Sequence, residues 1–317
     1  MLQQFWRRFS GQASGVRSLL VLHLQEHQIH LLSARADKLR TSSTAPVSRL
    51  VPLQGATVLT ALPALLKELP ASAVSIVLGP EHYQLLPLDK PNIPAAEMHQ
   101  ALPWLLKDIC NLPPEDMQLD YLDMPATAGA SAKLNVVVAS KVFLQQLCKL
   151  LVDAGHQPQQ ILAEELLSRD LLPPQGPTRL IVQQQPGHEV ILQVVRDGQL
   201  CFSRHLRGYQ QLLKSSSTEL QFGLLDNLLL EVQRSMDFIE AQLKLPPVRE
   251  ILLLLAHPQL AELPALFQQA GFNQAKVLTL PDNWPWARQL ELPLHWPAIV
   301  ALHRLQQPAE VALEAAS

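Results

Sequence analysis

At 317 residues, with 48% apolar, 17% charged and 5% aromatic side chains, the chain is long enough for about two domains and too apolar for disorder. A formal net charge of −3 argues against a nucleic-acid surface, and no apolar run approaches the roughly 18 residues of a membrane span. Cys110, Cys148 and Cys201 lie far apart without a CxxC pair, which fits a reducing compartment better than disulfides or zinc.

Residues Met1 to Ser10 combine Leu2, Phe5, Trp6 and Phe9 with Arg7 and Arg8. They lack the apolar core and cleavage site of a signal peptide, so the expected location is the cytoplasm. Such a segment can touch an anionic membrane surface weakly, or pack as a plain tail.

The chain from Arg17 to Ala34 reads as a hairpin with Gln25 and Glu26 near its turn. Arg40 to Leu50 is polar, an edge or loop. Thr57 to Leu69 reads as a helix that Pro63 must bend unless it sits in the first turns. Val74 to Leu78 is a strand, and Gly79-Pro80 turns the chain into Tyr83 to Leu88. Pro94 opens a helix whose Met98, Leu102, Leu105 and Ile109 form a core-facing stripe, with Trp104 expected in the core rather than as an interface anchor. Leu119 to Leu122 returns as a strand, completing a small α/β unit inserted at about residues 80–125.

Ala126 to Ala132 is a loop and Leu134 to Ala139 a buried strand. Ser140 caps a helix through Ala154, which Gly155 ends in the left-handed conformation. Pro173-Pro174 and Gly176-Pro177 mark a linker, dividing the chain into domains at 1–176 and 177–317. Beyond it, Leu180 to Val182, Val190 to Val195 and Leu200 to Phe202 are strands, with Asp197-Gly198 as a two-residue hairpin turn. Ser216 and Glu219 have capping-box spacing before a long helix carrying Leu225, Leu228, Val232, Met236, Ile239 and Leu243 on one face. Arg249 to Leu255 is a strand, Leu260 to Ala270 a helix and Val277 to Leu280 a strand. Pro297 to Gln306 is a closing helix, and the tail from Pro308 is expected to fray.

Two internal echoes relate the halves. At an offset of 161, Leu19, Leu20, Val21, Ile29 and Leu31 meet Leu180, Ile181, Val182, Val190 and Leu192. At an offset of 116, Leu144, Leu147, Leu150, Gly155 and Ile161 meet Leu260, Leu263, Leu266, Gly271 and Val277. The difference, 161 minus 116, leaves the first half about 45 residues longer between hairpin and helix, the size of an inserted subdomain.

Several stretches resemble the PilM family of pilus-assembly proteins. They are Leu119-Asp120-Tyr121 after the inserted helix, Leu134 to Leu162, Val194 to Gly198 with Phe202-Ser203-Arg204, Glu231 to Phe238, and Pro297 to Arg304. The resemblance implies an α/β, actin-like (RNase H-like) duplicated two-domain fold with a small inserted α/β subdomain. The closing helix at 297–306 would then pack back toward the first domain. It also implies a cytoplasmic scaffold, recruited to the inner membrane, that receives the N-terminal cytoplasmic tail of a PilN-like membrane protein in a cleft beside the inserted unit. A pilus assembly ATPase is a further implied partner.

Members of that superfold hold phosphates on two hairpin turns that present Gly, Ser or Thr, with aspartates for Mg²⁺. Here the first turn carries Gln25 and Glu26 without glycine, the second keeps only Gly187, and Ala256-His257-Pro258 stands where a glycine-rich adenosine turn would be. Glu231 and Arg234 fall where relatives touch adenosine, although a solvated helix pair explains them equally well. The expectation is therefore a pseudo-ATPase with Gln25, Glu26, Gly187, Glu231, Arg234 and His257 as remnants, no catalytic residue and no ATP or Mg²⁺ cofactor. The alternative is an active ATPase or kinase relative. An RNase H-like nuclease needs clustered carboxylates, and the first strand has none. His23, His27 and His30 share the first hairpin but have no Asp, Cys or evident fourth ligand nearby, and are expected at the surface or an edge rather than on a metal.

Overall fold

The computed structural model describes residues 17–40, 45–125, 131–216 and 220–307. The 1–10 segment, most of the 126–132 loop, the Glu219 half of the capping box and the tail from Pro308 lie outside the described residues.

Strands β1 (Ser18–Leu24) and β2 (Gln28–Arg35) form the first hairpin, with Leu24 opposite Ile29. A short helix α1 (Ala36–Arg40) precedes β3 (Val47–Pro52), which pairs with β2 as an edge strand, the first of the two readings, edge or loop, given to that stretch. Helix α2 (Val58–Lys67) starts at Thr57, whose hydroxyl accepts from the Thr60 N–H while the Thr60 hydroxyl accepts from the Thr57 N–H, and Pro63 lies inside it. Strand β4 (Ala73–Leu78) runs parallel to β1, and β8 (Gln157–Ala163) runs parallel to β4. The resulting five-stranded sheet has the order β3-β2-β1-β4-β8.

The second half repeats that plan. Strands β9 (Arg179–Gln184), β10 (Val190–Arg196), β11 (Gln199–Leu206), β12 (Glu250–Leu255) and β13 (Ala275–Val277) form a five-stranded sheet ordered β11-β10-β9-β12-β13. Each strand takes the place of its counterpart. Asp197 and Gly198 both have positive φ, 49° and 72°, which matches a hairpin turn twisted in the same sense as its strands. Gly155 and Gly271, paired by the second echo, end equivalent helices at φ of 81° and 95°. Those helices are α4 (Lys141–Asp153), capped by the Ser140 hydroxyl, and α6 (Leu263–Gln269).

Between β4 and β8 stand β5 (Gln84–Asp89), helix α3 (Ala95–Leu106), β6 (Met117–Asp123) and β7 (Lys133–Ser140). They form a three-stranded sheet ordered β5-β7-β6. The inserted sheet thus has residues 133–140 as its central strand, beyond the 80–125 read from the sequence. The α3 stripe also differs. Met98, Leu102 and Leu106 are buried, whereas Leu105 is 47% and Ile109 53% exposed. Trp104, expected in the core, is 67% exposed. The helix ends at Leu106, so Ile109 never reaches its core face, and successive buried positions step by four.

Strands β1 and β4 are buried at nearly every position, which requires cover on both faces. Helices α2 and α4 pack together, while α7 (Leu292–Gln306) lies on β1, β2 and β4. Helix α7 begins five residues before Pro297, because Pro293 already supplies the proline favoured in a first turn. It buries Trp296, Ile299 and Val300 in a core that also takes Ile181, Leu252 and Leu254 from the second sheet. Each fully buried Leu, Ile or Val there contributes roughly 1.5–3 kcal/mol. The other face of the second sheet packs on α5 (Leu225–Ala241) through Leu228, Val232 and Ile239. Met236 and Leu243 are only partly buried.

The α3 register gives a direct expectation. Leu102→Ala should cost about 2–5 kcal/mol, and Leu105→Ala or Ile109→Ala about 0.5 kcal/mol or less, in urea unfolding. Equal losses at Leu102 and Leu105 would refute this packing.

Candidate functional site

Two clefts flank the first sheet. The first lies between the inserted sheet and the main one, where β6 and β8 are both edge strands. Its floor and walls come from Tyr121 and Leu122 of β6, Val137 of β7, Ile161 to Ala163 of β8, and Leu166 and Leu167 just beyond. It is narrow, with a cavity volume of about 20 Å³. Asp120, Arg169 and Arg304 supply its polar rim. Arg304 is held by Asp170 through two hydrogen bonds, one of 2.9 Å from Nη2 and a shorter one from Nε. Alternation along β6 splits its side chains: Tyr121 packs on the inserted core and Leu122 on the main core.

The second cleft opens between the two hairpin turns and is much roomier, with a cavity volume of about 430 Å³. The turns touch directly. Gln25 Nε2 donates to Gln185 Oε1 at 2.7 Å and lies 3.1 Å from His188 Nε2. Gln28 Nε2 in turn donates to Gln25 Oε1 at 2.7 Å. Glu26, Glu81, Glu164 and Glu189 line the space with Gly187, His188 and His205, and no lysine or arginine is among its described lining residues. Burial first, then the nearby Glu164 and Glu26 carboxylates, push the Glu81 carboxyl up to about 7.

Two adjacent carboxylates that the sequence reading passed over sit here, Glu164 on the cleft wall and Glu165 behind it. Glu164 Oε2 lies 2.8 Å from His23 Nε2, within hydrogen-bond distance. Glu165 is buried and accepts from Tyr83 Oη at 3.1 Å and from the Ser203 hydroxyl in a shorter contact, and it lies 3.3 Å from His205 Nε2. Burial acts to raise the Glu165 carboxyl, yet the bonds from His205, Ser203 and Tyr83 hold it below its usual range. The bond to Glu165 raises the His205 imidazole in step. The available signal was two adjacent glutamates inside the apolar run Ile161 to Leu167, since acids so placed are rare without partners.

Of the sequence candidates, Glu26 and Gly187 line the second cleft, and Gln25 bridges its turns. Glu231, Arg234 and His257 do not line it. Glu231 is clamped by Arg204 Nη2 at 2.5 Å and Arg234 Nη1 at 2.6 Å, so the pair read on one helix surface extends to β11. His257 Nε2 bonds the Ser215 carbonyl at 3.1 Å, while its Nδ1 accepts from the Gln259 N–H at 3.0 Å. His23 and His30, expected at a surface or edge, are each 1% exposed. They pair across β1 and β2, and the inward face of that hairpin is covered by α7, whose His295 ring lies 4.7 Å from His30. His27 alone of the three is exposed. Among the described residues no group of three or more His, Cys, Asp or Glu is placed to hold a metal ion. No helix of the described residues is long and apolar enough to cross a membrane.

Two sheets of one strand order, sharing a core and separated by a cleft, with a further sheet inserted in the first half, define the duplicated actin-like (RNase H-like) fold. No protein-family model matches the sequence, and no curated protein matches it. The chain is similar to a chain of the PilM–PilN type IV pilus biogenesis complex, with a TM-score of 0.64 and 17% identity over 92% of this chain and 99% of that one. It is also similar to the cytoplasmic domain of EpsL, an inner-membrane component of the Vibrio cholerae type II secretion system (TM-score 0.47, 16% identity, 76% of this chain and 83% of that one).

Burial, reinforced by His23 and His295, lowers the His30 imidazole to about 3. Its unfolded form therefore binds a proton first, and stability is lost as pH falls from about 6.5 toward 3, by at most about 1.4 kcal/mol per pH unit. Glu81, raised to about 7, acts oppositely between its unfolded value and 7. Urea midpoints from pH 8 to 5 should therefore fall less steeply for His30→Gln than for the natural chain, and parallel slopes would contradict the burial of a neutral His30.

Proposed function

We propose that this protein is a cytoplasmic scaffold of a type IV pilus biogenesis machine, recruited to the inner membrane by the N-terminal cytoplasmic tail of a PilN-like partner. The specific setting we assign is a pilus of the mannose-sensitive haemagglutinin (MSHA) type, in the position MshI holds there. The observation that carries the reading is the apolar trough between edge strands β6 and β8. An extended tail adds main-chain hydrogen bonds to such an edge and seats alternate side chains in apolar pockets. The polar rim of Asp120, Arg169 and Arg304 would fix its direction. The likeness to a chain from the PilM–PilN complex supports a PilN-like protein as that partner. Contact with the pilus assembly ATPase, and weak membrane contact through residues 1–10, belong to the same proposal.

The reading includes a nucleotide site that no longer serves ATP. Three features support it. The Gln25–Gln185 bond spans the gap between the turns, four glutamates face the space, and no basic side chain is among the described residues lining it. Phosphate binding needs the reverse, donors and positive charge. The residues present do not fit a magnesium triphosphate.

A peptide copying the tail of a PilN-like protein from the same system should bind with saturable anisotropy. Leu122→Asp, which puts a charge on the trough wall, should weaken it by about tenfold or more, while Leu105→Asp on exposed α3 should not. Failure of every inner-membrane pilus tail to bind would sink the scaffold reading. Calorimetry with ATP and Mg²⁺ should register no binding; a micromolar site would restore the ATPase alternative.

A further inference from the structure

We propose that Arg169 reads an acidic residue of the bound tail, seating an Asp or Glu side-chain carboxylate against its guanidinium in the trough between β6 and β8. The inference rests on the reading of that trough as the tail site, and it says what the tail must carry there. The Arg169 side chain lines the trough and is nine-tenths buried, with 10% of its surface exposed. Among the described residues it makes no hydrogen bond. The one acid within 4 Å of it is Asp170, whose Oδ1 lies 3.7 Å from Arg169 Nε, beyond hydrogen-bond distance. Asp170 is itself committed elsewhere, since Arg304 Nε and Nη2 donate to its two oxygens. Two guanidiniums thus share one carboxylate, and Arg304 holds it.

What Arg169 lacks is negative charge carrying acceptors. A guanidinium has five N–H donors and keeps its proton, so it cannot escape burial by becoming neutral. Burial pulls its pKa down, Asp170 acts against that, and the charge of Arg304 adds to it. A carboxylate would meet two of the donors at once, in the planar fork that suits arginine better than lysine. The cavity beside it, about 20 Å³, has room for little more than one water. That favours the smallest anion a peptide offers, a planar carboxylate, over a tetrahedral phosphate. An N-terminal tail continues into its membrane protein, so the carboxylate belongs to a side chain and not to a chain end. Asp120, the other acid of the trough, makes no ion pair with Arg169, and its Oδ1 accepts from the Tyr121 N–H at 2.9 Å.

The test is anisotropy on the full chain with a fluorescent peptide copying the tail of the PilN-like protein of the same system. Further copies replace each Asp or Glu in turn by Asn or Gln. One such amide copy should bind the natural chain about tenfold or more weakly. Arg169→Gln should weaken the natural peptide by a similar factor, and against that variant the amide copy should lose nothing further, as two ends of one contact do. Arg49→Gln, on exposed β3 at the opposite edge of the sheet from β8, should leave binding unchanged. Urea unfolding without peptide separates this role from a structural one, because removing an unsatisfied buried charge should keep or raise the midpoint. A midpoint clearly lowered by Arg169→Gln would show the guanidinium already satisfied within the fold and overturn the inference. So would a tail that binds without any carboxylate, or amide copies that all bind as tightly as the natural peptide, and either result leaves the scaffold reading standing. Failure of every inner-membrane pilus tail to bind removes that reading, and this inference falls with it.

Discussion

The arrangement of the whole molecule hangs on where the Glu165 carboxylate finds its partners. A buried charge is tolerated only when it is paired and hydrogen-bonded, and removing one partner costs far more than an exposed contact would. Glu165 meets this demand with side chains from separate parts of the chain. Tyr83 comes from the entry to the inserted sheet, and Ser203 and His205 come from β11 of the second half. Its backbone carbonyl accepts from Gln193 Nε2 of β10 at 2.9 Å, adding a further strand of the second half. Rotating one half against the other would break several of these bonds at once. The shared apolar core around α7 has the same consequence, since Ile181, Leu252 and Leu254 would have to leave it.

This lock changes what the cleft beside it can do. Two halves that close on a ligand need an interface that comes apart cheaply, usually one of polar contacts in water. Here the halves are joined by buried polar bonds, by the Gln25–Gln185 contact at the mouth, and by Asn135 Nδ2 donating to the Leu200 carbonyl at 2.8 Å. Such a body is suited to presenting fixed surfaces. In the scaffold role proposed here the trough between β6 and β8 would gain from this, because a rigid edge strand gives up less ordering entropy when an extended chain is added to it.

The elements with strong local signals were legible in the sequence. The hairpins declared themselves by β-branched runs around Asp197-Gly198, and the duplication by constant offsets between Leu19 and Leu180 or Gly155 and Gly271. What failed did so where tertiary context decides. The stripe on α3 was counted through Leu105 and Ile109, because periodicity cannot tell where a helix stops, and Trp104 was sent inward on composition alone. Residues 133–140 read correctly as a buried strand, but nothing local says that β7 pairs with β5 and β6 rather than with the main sheet. The site was the least legible part. Gln25 and Gln185 are 160 residues apart, and His23 and Glu164 are 141, so neither contact leaves a pattern in any short window.

The two clefts, built by one fold, have opposite chemistry, and the reason lies in the register of the strands around them. Along β8, Ile161, Leu162 and Ala163 line the trough, and the next two residues are the buried glutamates. One strand therefore supplies an apolar wall on one side and, where it ends, the acids behind the other cleft. The same turn carries Leu166 and Leu167, which also line the trough, so Glu164 and Glu165 sit directly beside the apolar wall. Chain continuity thus sets the two chemistries side by side: the bonds that hold the acids anchor one end of the turn, and its leucines complete the apolar wall at the other.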